Sequence, residues 1–396
     1  MATILTANKL LTPLTEIDQP RVTIEDGFIT SIESRGALEA PQYSEHIDFP
    51  GAILAPAFFD VHTHGALGFD VMDGTDQAFD AVGNFLATHG VGAYLPTTVT
   101  APVDQILRAL EGIARQIERR SQPGIDAERF HGAQPLGIHV EGPFLSHSKR
   151  GVHPAEFLQS PSVELLQRFW QASGGHIVLM TIAPELPQAI ELIQEARRMG
   201  IRVSLGHSNA STADAMAGIQ AGASSATHTY NAMRALDHRE PGLLGVVLDQ
   251  KNLFAELICD GIHVDPLLVR LFYRAKGPDR GILITDAIAA TGMPDGVYRL
   301  GGMEVTVSKG RCTFEGRLAG SVLTLDRAIR NFVQYTDAPY STAVRYASTN
   351  PAMMLGVDEV HGELASGRAA NIAVLSPEGN VQCTVLKGKV FSAAGI

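Results

Sequence analysis

Hydrophobic positions follow two rhythms along this chain. In the first fifty residues short apolar runs alternate with polar and turn residues, as in Arg21-Val22-Thr23-Ile24-Glu25-Asp26-Gly27-Phe28-Ile29-Thr30. That period-two pattern predicts β-hairpins. From about residue 51 the rhythm becomes short apolar strands followed by amphipathic helices, with Gly90, Gly200 and Gly222 each placed as a helix C-cap. The strands are expected to end near His62, Thr97, Val140, Ala183, Leu205, Thr227, Cys259 and Thr285. Eight strands joined by helical crossovers predict an α/β fold, a (β/α)8 barrel of TIM type. Residues 297–316 read as β-structure inserted after the eighth strand, and residues 370–391 as a β-meander expected to pair with the N-terminal hairpins. The expected organisation is a barrel over residues 51–364 and a small β-domain built from both chain ends, residues 1–50 and 365–396.

Composition narrows the function classes. The chain has 396 residues, enough for one barrel and an accessory unit, with 45% hydrophobic and 18% charged residues. A net charge of −11 argues against nucleic acid as a partner, although a small anion can still find a locally basic pocket. Three cysteines, Cys259, Cys312 and Cys383, make no metal-type pair and no disulfide framework, which suits a reducing cytoplasm. The first residues carry no basic segment followed by a long apolar run, and no apolar stretch reaches the roughly 20 residues of a membrane helix. The expectation is a cytoplasmic protein with no membrane partner.

The sharpest chemical signal is Asp60-Val61-His62-Thr63-His64-Gly65, after the apolar run 52–59. Side chains alternate along a strand, so His62 and His64 share a face and offer a bite for one divalent ion. Glu141, His207, His228 and Asp286 each close another apolar strand, and barrel enzymes gather their catalytic groups at such C-terminal ends. His139 also precedes Glu141 by two residues but sits deeper, where a hydrogen-bonded core histidine is expected. One or two zinc-like ions would hold a water, lower its pKa and polarise a carbonyl. Glu141 would bridge two ions or anchor one, and Asp286 would move the proton from water to a departing amine. The plainer alternative for Asp286 is a structural carboxylate at a helix terminus.

These residues resemble the amidohydrolase superfamily, and within it the N-acetylglucosamine-6-phosphate deacetylases. His62-Thr63-His64 marks the superfamily. The narrower likeness rests on Glu141-Gly142-Pro143-Phe144, Gly206-His207-Ser208-Asn209-Ala210, Thr227-His228-Thr229-Tyr230-Asn231-Ala232-Met233, Arg239-Glu240-Pro241-Gly242, Asp260-Gly261-Ile262-His263-Val264-Asp265 and Leu318-Ala319-Gly320-Ser321. The resemblance implies a divalent metal, zinc first, held mainly by Glu141, His207 and His228. His62 and His64 would complete a second position near Asp286, the general acid/base. It assigns a phosphosugar substrate to Asn231, the Ala232 backbone, Arg239 and His263, a set suited to a phosphate dianion. It also implies that His153 lies on a mobile loop closing over the sugar, that Leu318, Ala319 and Gly320 lie near the acetyl group, and that the unit is a homodimer in which Arg239 acts across the interface.

Other readings stand beside this one. Arg239 reads equally as half of a surface ion pair with Glu240, and His153 as a solvated loop histidine. The substrate could be N-acetylgalactosamine 6-phosphate or another N-acyl compound such as an N-acyl amino acid. A non-catalytic binding protein on the same scaffold would be expected to have lost ligands or the acid/base, whereas this chain keeps them all.

Overall fold

The computed structural model describes residues 2–12, 15–34, 44–121 and 132–391, so the ends and residues 35–43 of the expected β-domain lie outside it. Eight parallel strands follow one another in chain order: Phe58–Thr63, Val91–Thr98, Ile138–Glu141, Ile177–Ile182, Arg202–Leu205, Ser225–Ala226, Phe254–Ile258 and Gly281–Ile284. They are called strands one to eight below. The ring closes where Thr63 bridges to Ala287 and the Asp286 N–H donates to the His62 carbonyl at 2.9 Å. Each expected strand end falls within one residue of the observed one.

Strands one, two, three and eight are buried at every position, because a barrel strand has the packed interior on one side and helices on the other. That is why strand eight reads as an apolar run, whereas strands one and three carry buried polar residues at alternate positions, Asp60 and His62, and His139 and Glu141. The helices supply the outer layer. Val103–Ser121, for example, buries Ile106, Leu110, Ile113 and Ile117 at helical spacing along one stripe.

An eight-stranded sheet joins the two chain ends. Its order runs Lys389–Phe391, Val381–Leu386, Ile372–Leu375, Ser44–Pro56, Ala2–Leu11, Pro20–Glu25 and Phe28–Ser34, with Glu16–Asp18 paired to Ala2–Leu11. It has its own core of Leu5, Leu10, Val22, Ile24, Leu54, Ile372, Val374 and Val385. The strand Ser44–Pro56 carries this sheet past the boundary expected at residue 50. Both its neighbours, Ala2–Leu11 and Ile372–Leu375, continue to pair beyond that point, and the apolar run 52–59 is shared between this sheet and strand one.

After strand eight comes an antiparallel meander of Gly296–Leu300, Met303–Ser308, Arg311–Phe314 and Arg317–Leu318. Met303–Ser308 alternates buried and exposed residues without exception, as a one-sided sheet must. Its buried face joins Val99, Ile288 and Ala290 in a separate apolar cluster at the barrel mouth.

Candidate active site

The chemical groups collect where the strands run out. His62 lies near the end of strand one and His64 just past it, and Glu141 is the last residue of strand three. His207, His228 and Asp286 each lie two residues beyond strands five, six and eight. These three share a further property: φ angles of 47°, 29° and 50°. A non-glycine residue in the left-handed region costs on the order of 1–3 kcal/mol and recurs at functional sites. Gly206, beside His207, leaves room for its neighbours: a Cβ there would stand 2.7 Å from the Thr227 side chain.

Three histidines are locked in one tautomer. The Nδ1–H of His64 donates to the Thr97 carbonyl at 2.9 Å and that of His207 to the Lys149 carbonyl at 3.0 Å. Carbonyls only accept, so each ring must carry its hydrogen on Nδ1 and present the Nε2 lone pair inward. His62 does the same against the Glu256 carboxylate at 3.2 Å. Such outer partners are the usual means of orienting a metal-binding imidazole.

The inward atoms converge on Glu141. Nε2 of His207 and of His228 lie 2.9 Å apart and each 3.1 Å from Oε1 of Glu141. Nε2 of His62 is 3.5 Å from that oxygen, and Nε2 of His64 is 3.5 Å from the other. Asp286 Oδ1 stands 3.1 Å from His64 and 3.6 Å from His62. Two triads of possible ligands result, His62/His64/Glu141 and Glu141/His207/His228, with Glu141 common to both. Lone pairs aimed at one another at 2.9 Å repel unless a proton or cation lies between them. The buried Nε2 of His62 has no hydrogen-bond partner. This imidazole and carboxylate set fits a divalent ion of the zinc kind.

The electrostatics agree. Burial opposes charge on His62, yet Glu141, Glu256 and Asp286 outweigh it and push its pKa well above the ordinary histidine value. Burial likewise opposes the Glu141 carboxylate, but the surrounding His62, His153, His207 and His228 hold it well below the usual range. A field that favours a proton among these groups favours any cation there. For Asp286 burial is overcome by the close contact with His64 and the fields of His62 and His64, which bring it down to about 2. It is therefore ionised at neutral pH. Its contact with His64 replaces the helix-terminus alternative.

His153 differs from its expected surroundings. It is only 4% exposed, its Nδ1 accepts the Thr100 N–H at 3.2 Å, and its ring stands 4.7 Å from that of His207. Nε2 faces Glu141 Oε2 at 3.6 Å. It belongs to the buried cluster, and the reading as a solvated loop residue falls. His139 is a core histidine: Nε2 lies 2.8 Å from Thr181 Oγ1, and burial pushes its pKa well below the ordinary value.

Above the cluster opens a cavity of about 190 Å³. Its lining includes His64, Glu141, His153, His207, His228 and Asp286, with Asn231, Ala232, His263, Leu318 and Gly320. Asn231, Ala232 and His263 follow strands six and seven, which lie across an eight-stranded ring from strands two and three. The His263 Nδ1–H donates to Asp260 at 2.7 Å, turning Nε2 outward. Ala319 is buried behind the lining; Gly320, at φ 58°, admits no Cβ, which would fall 2.4 Å from Ile288. Arg239 is not brought to this cavity. It is exposed, and Glu240, its expected ion-pair partner, instead accepts from the Thr212 N–H and hydroxyl at 2.8 and 2.9 Å.

A model of the amidohydrolase family matches residues 53–391. The chain belongs to that family. This amidohydrolase is 38% identical over 393 residues to N-acetylgalactosamine-6-phosphate deacetylase of Escherichia coli O157:H7, covering 99% of this chain and 100% of that one. It is 36% identical over 372 residues to N-acetylglucosamine-6-phosphate deacetylase of Bacillus subtilis (strain 168), covering 93% and 92%. Among solved structures it superposes on the N-acetyl-D-glucosamine-6-phosphate deacetylase of Mycobacterium smegmatis in complex with N-acetyl-D-glucosamine-6-phosphate. The TM-score is 0.91 at 32% identity over 99% of this chain and 100% of that one.

Three carboxylates of the site were not assigned roles from sequence. Asp60 accepts from the His62 N–H, the Thr285 N–H and the Thr285 hydroxyl, tying strand one to strand eight beneath the cluster. Glu256 and Asp260 orient His62 and His263. Glu256 had a legible signal, since it is the lone charge inside the apolar run Leu253-Phe254-Ala255-Glu256-Leu257-Ile258. Asp60 and Asp260 sat inside recognised motifs with nothing to say what they faced.

Proposed function

We propose that this amidohydrolase cleaves the acetamide of N-acetylglucosamine 6-phosphate, yielding glucosamine 6-phosphate and acetate in amino-sugar catabolism. The observation that carries this reading is one cavity with Asp286 and the shared-ligand cluster at its floor and Asn231, Ala232 and His263 along one wall. The likeness to phosphosugar deacetylases over nearly the whole chain supports it.

Glu141, His207 and His228 would hold the principal divalent ion, and His62 and His64, with Asp286 nearby, would hold a second; zinc suits their nitrogen and carboxylate donors best. A metal bound there supplies a Lewis acid that polarises the acetamide carbonyl and acidifies water. Asp286 accepts the proton of the attacking water as its oxygen bonds to the carbonyl carbon. As the C–N bond breaks, the same carboxyl hands the proton to the amine nitrogen. Asn231, the Ala232 N–H and His263 bind the phosphate end. Leu318 and Gly320 border the acetyl side.

Arg239 completes the phosphate site from a second copy of the chain, so the functional unit is a homodimer. Its exposure and its absence from the lining of its own chain's cavity support that arrangement. A cytoplasmic setting accords with three buried free thiols, and among the described residues no helix is long and apolar enough to cross a membrane.

One observation favours a second reading: a relative with 38% identity is an N-acetylgalactosamine-6-phosphate deacetylase. The test is acetate release by zinc-loaded protein from both phosphosugars side by side. A higher kcat/KM for the gluco epimer is expected. A higher value for the galacto epimer would move the assignment to the second reading, and release from neither would remove both.

A further inference from the structure

The apolar side of the cavity is Val99, Val152, Leu300, Met303 and Leu318. Val99 and Val152 follow strands two and three, across the ring from the loops that carry Asn231 and His263. Leu300 and Met303 reach in from the meander after strand eight. An acetamide whose carbonyl carbon is at Asp286, and whose sugar extends toward Asn231 and His263, must turn its methyl group toward this apolar side. Nothing polar is required of that side, and Val99, Val152, Leu300 and Met303 belong to or pack on one apolar cluster.

Next to it lies a second and larger cavity, about 670 Å³, bordered by Pro102, Phe157 and Phe314 and also by the charged Arg150, Glu156, Glu304 and Arg317. The two cavities share four residues: Gly151, Val152, His153 and Met303. These form the partition. His153 is held by Thr100, Val152 is stiff at χ1, and Gly151 has no side chain. Met303 alone is long, unbranched and free to take other rotamers. It is 7% exposed, on the buried face of the meander.

We propose that Met303 is the residue that limits the acyl group to acetyl, by closing the active-site cavity off from the larger space behind it. This rests on the proposed deacetylase reading. With Met303 in place an N-propionyl or N-butyryl chain ends against the thioether. With Met303 shortened the chain passes into the second cavity, where Val152 and Phe314, both packed on the same cluster, continue the apolar surface. In a closed hydrophobic pocket one misplaced methylene changes kcat/KM by about 10- to 200-fold, which sets the scale of the gate.

The experiment compares N-acetyl-, N-propionyl- and N-butyryl-glucosamine 6-phosphate as substrates of the full-length zinc-loaded protein, its Met303→Ala variant and its Met303→Phe variant. The parent is expected to lose at least about tenfold in kcat/KM per added methylene. Met303→Ala should reduce that loss by tenfold or more, read as the ratio of kcat/KM values within each variant, and Met303→Phe should deepen it. Calorimetric binding of the N-butyryl compound to Asp286→Asn protein, with and without Met303→Ala, reads the same gate without turnover and should show at least tenfold tighter binding in the double variant. Val152→Ala, which thins the same partition, replaces Met303→Ala should that chain fail to fold. An unchanged acyl ratio in every folded partition variant overturns the gate and leaves the deacetylase reading standing. A parent that releases no acetate overturns both.

Discussion

Replacing Glu256 by glutamine is the most direct probe of how the cluster is held. Glu256 is fully buried. Its Oε2 accepts from His62 Nδ1 and from the His228 N–H, each at 3.2 Å, while Oε1 has no partner. The amide oxygen of glutamine can still accept both hydrogens, so shape and tautomer survive and only the negative charge is lost. Partners of this kind are worth about 10- to 100-fold in metal affinity, or about 1.4–2.7 kcal/mol. Because geometry is retained, the expected loss is at the lower end, about tenfold, for the ion held through His62. The ion held by Glu141, His207 and His228 should change by less than about threefold, since its ligands keep their positions. The metal-free fold should weaken, because the amide NH2 takes the place of the unpartnered Oε1 with no acceptor and the carboxylate that raises the His62 pKa is lost. The assay is zinc competition against a chromophoric chelator, resolving the first and second equivalents, alongside thermal unfolding of the metal-free chain. Two ions bound with parental affinity, or both weakened equally, would refute the orientation argument.

Other consequences can be measured separately. Asp286→Asn should lower kcat by about 10²- to 10⁴-fold while the principal ion is retained on mass analysis; an active variant would strip Asp286 of its acid/base role. Arg239→Ala should raise KM for the phosphosugar by about 10- to 100-fold, the worth of a charge-assisted hydrogen bond, and leave the unphosphorylated sugar nearly unaffected. If Arg239 acts across a dimer, mixing Asp286→Asn and Arg239→Ala chains regenerates one intact site per heterodimer, and no recovery of activity after subunit exchange would place it in cis or nowhere. Asp326 is buried where His89 and Arg330 reach it at 3.1 and 2.9 Å. Burial opposes its charge, but these partners depress its pKa well below 3.8. A depressed carboxylate stabilises the fold above its unfolded pKa and loses that contribution as pH falls through the folded one. Asp326→Asn should therefore cost about 1.5–3 kcal/mol at pH 7, with the gap to the parent closing below about pH 4 in urea titrations; a pH-independent gap would contradict this.

Much of the fold was legible because its determinants are local. Apolar runs such as Leu283 to Thr285, ending at a chemically demanding residue, announce both a buried strand and its exposed end. Glycines at 90, 200 and 222 mark helix stops for steric reasons that hold in any context. The boundary near residue 50 was less legible, because the apolar run 52–59 serves two sheets and nothing within it says where one hands over to the next. His153 was harder still. Its flanking Lys149, Arg150 and Gly151 describe a polar loop, and only the packing of that loop onto Thr100 and His207 buries the imidazole.

What the amino-acid sequence determined by itself was the succession of strands and helices, the two β-rich additions, and the placing of His62, Glu141, His207, His228 and Asp286 at strand ends. Those properties follow from side-chain alternation, helix periodicity and turn chemistry, which act over a few residues. Only the tertiary structure decided that Glu141 is common to two ligand triads and that Glu256 orients His62 from 194 positions away. It alone set Met303 between two cavities, and left Arg239 outside the cavity of its own chain. Closing the barrel sets these relations, since it makes neighbours of residues whose separation along the chain carries no information about distance.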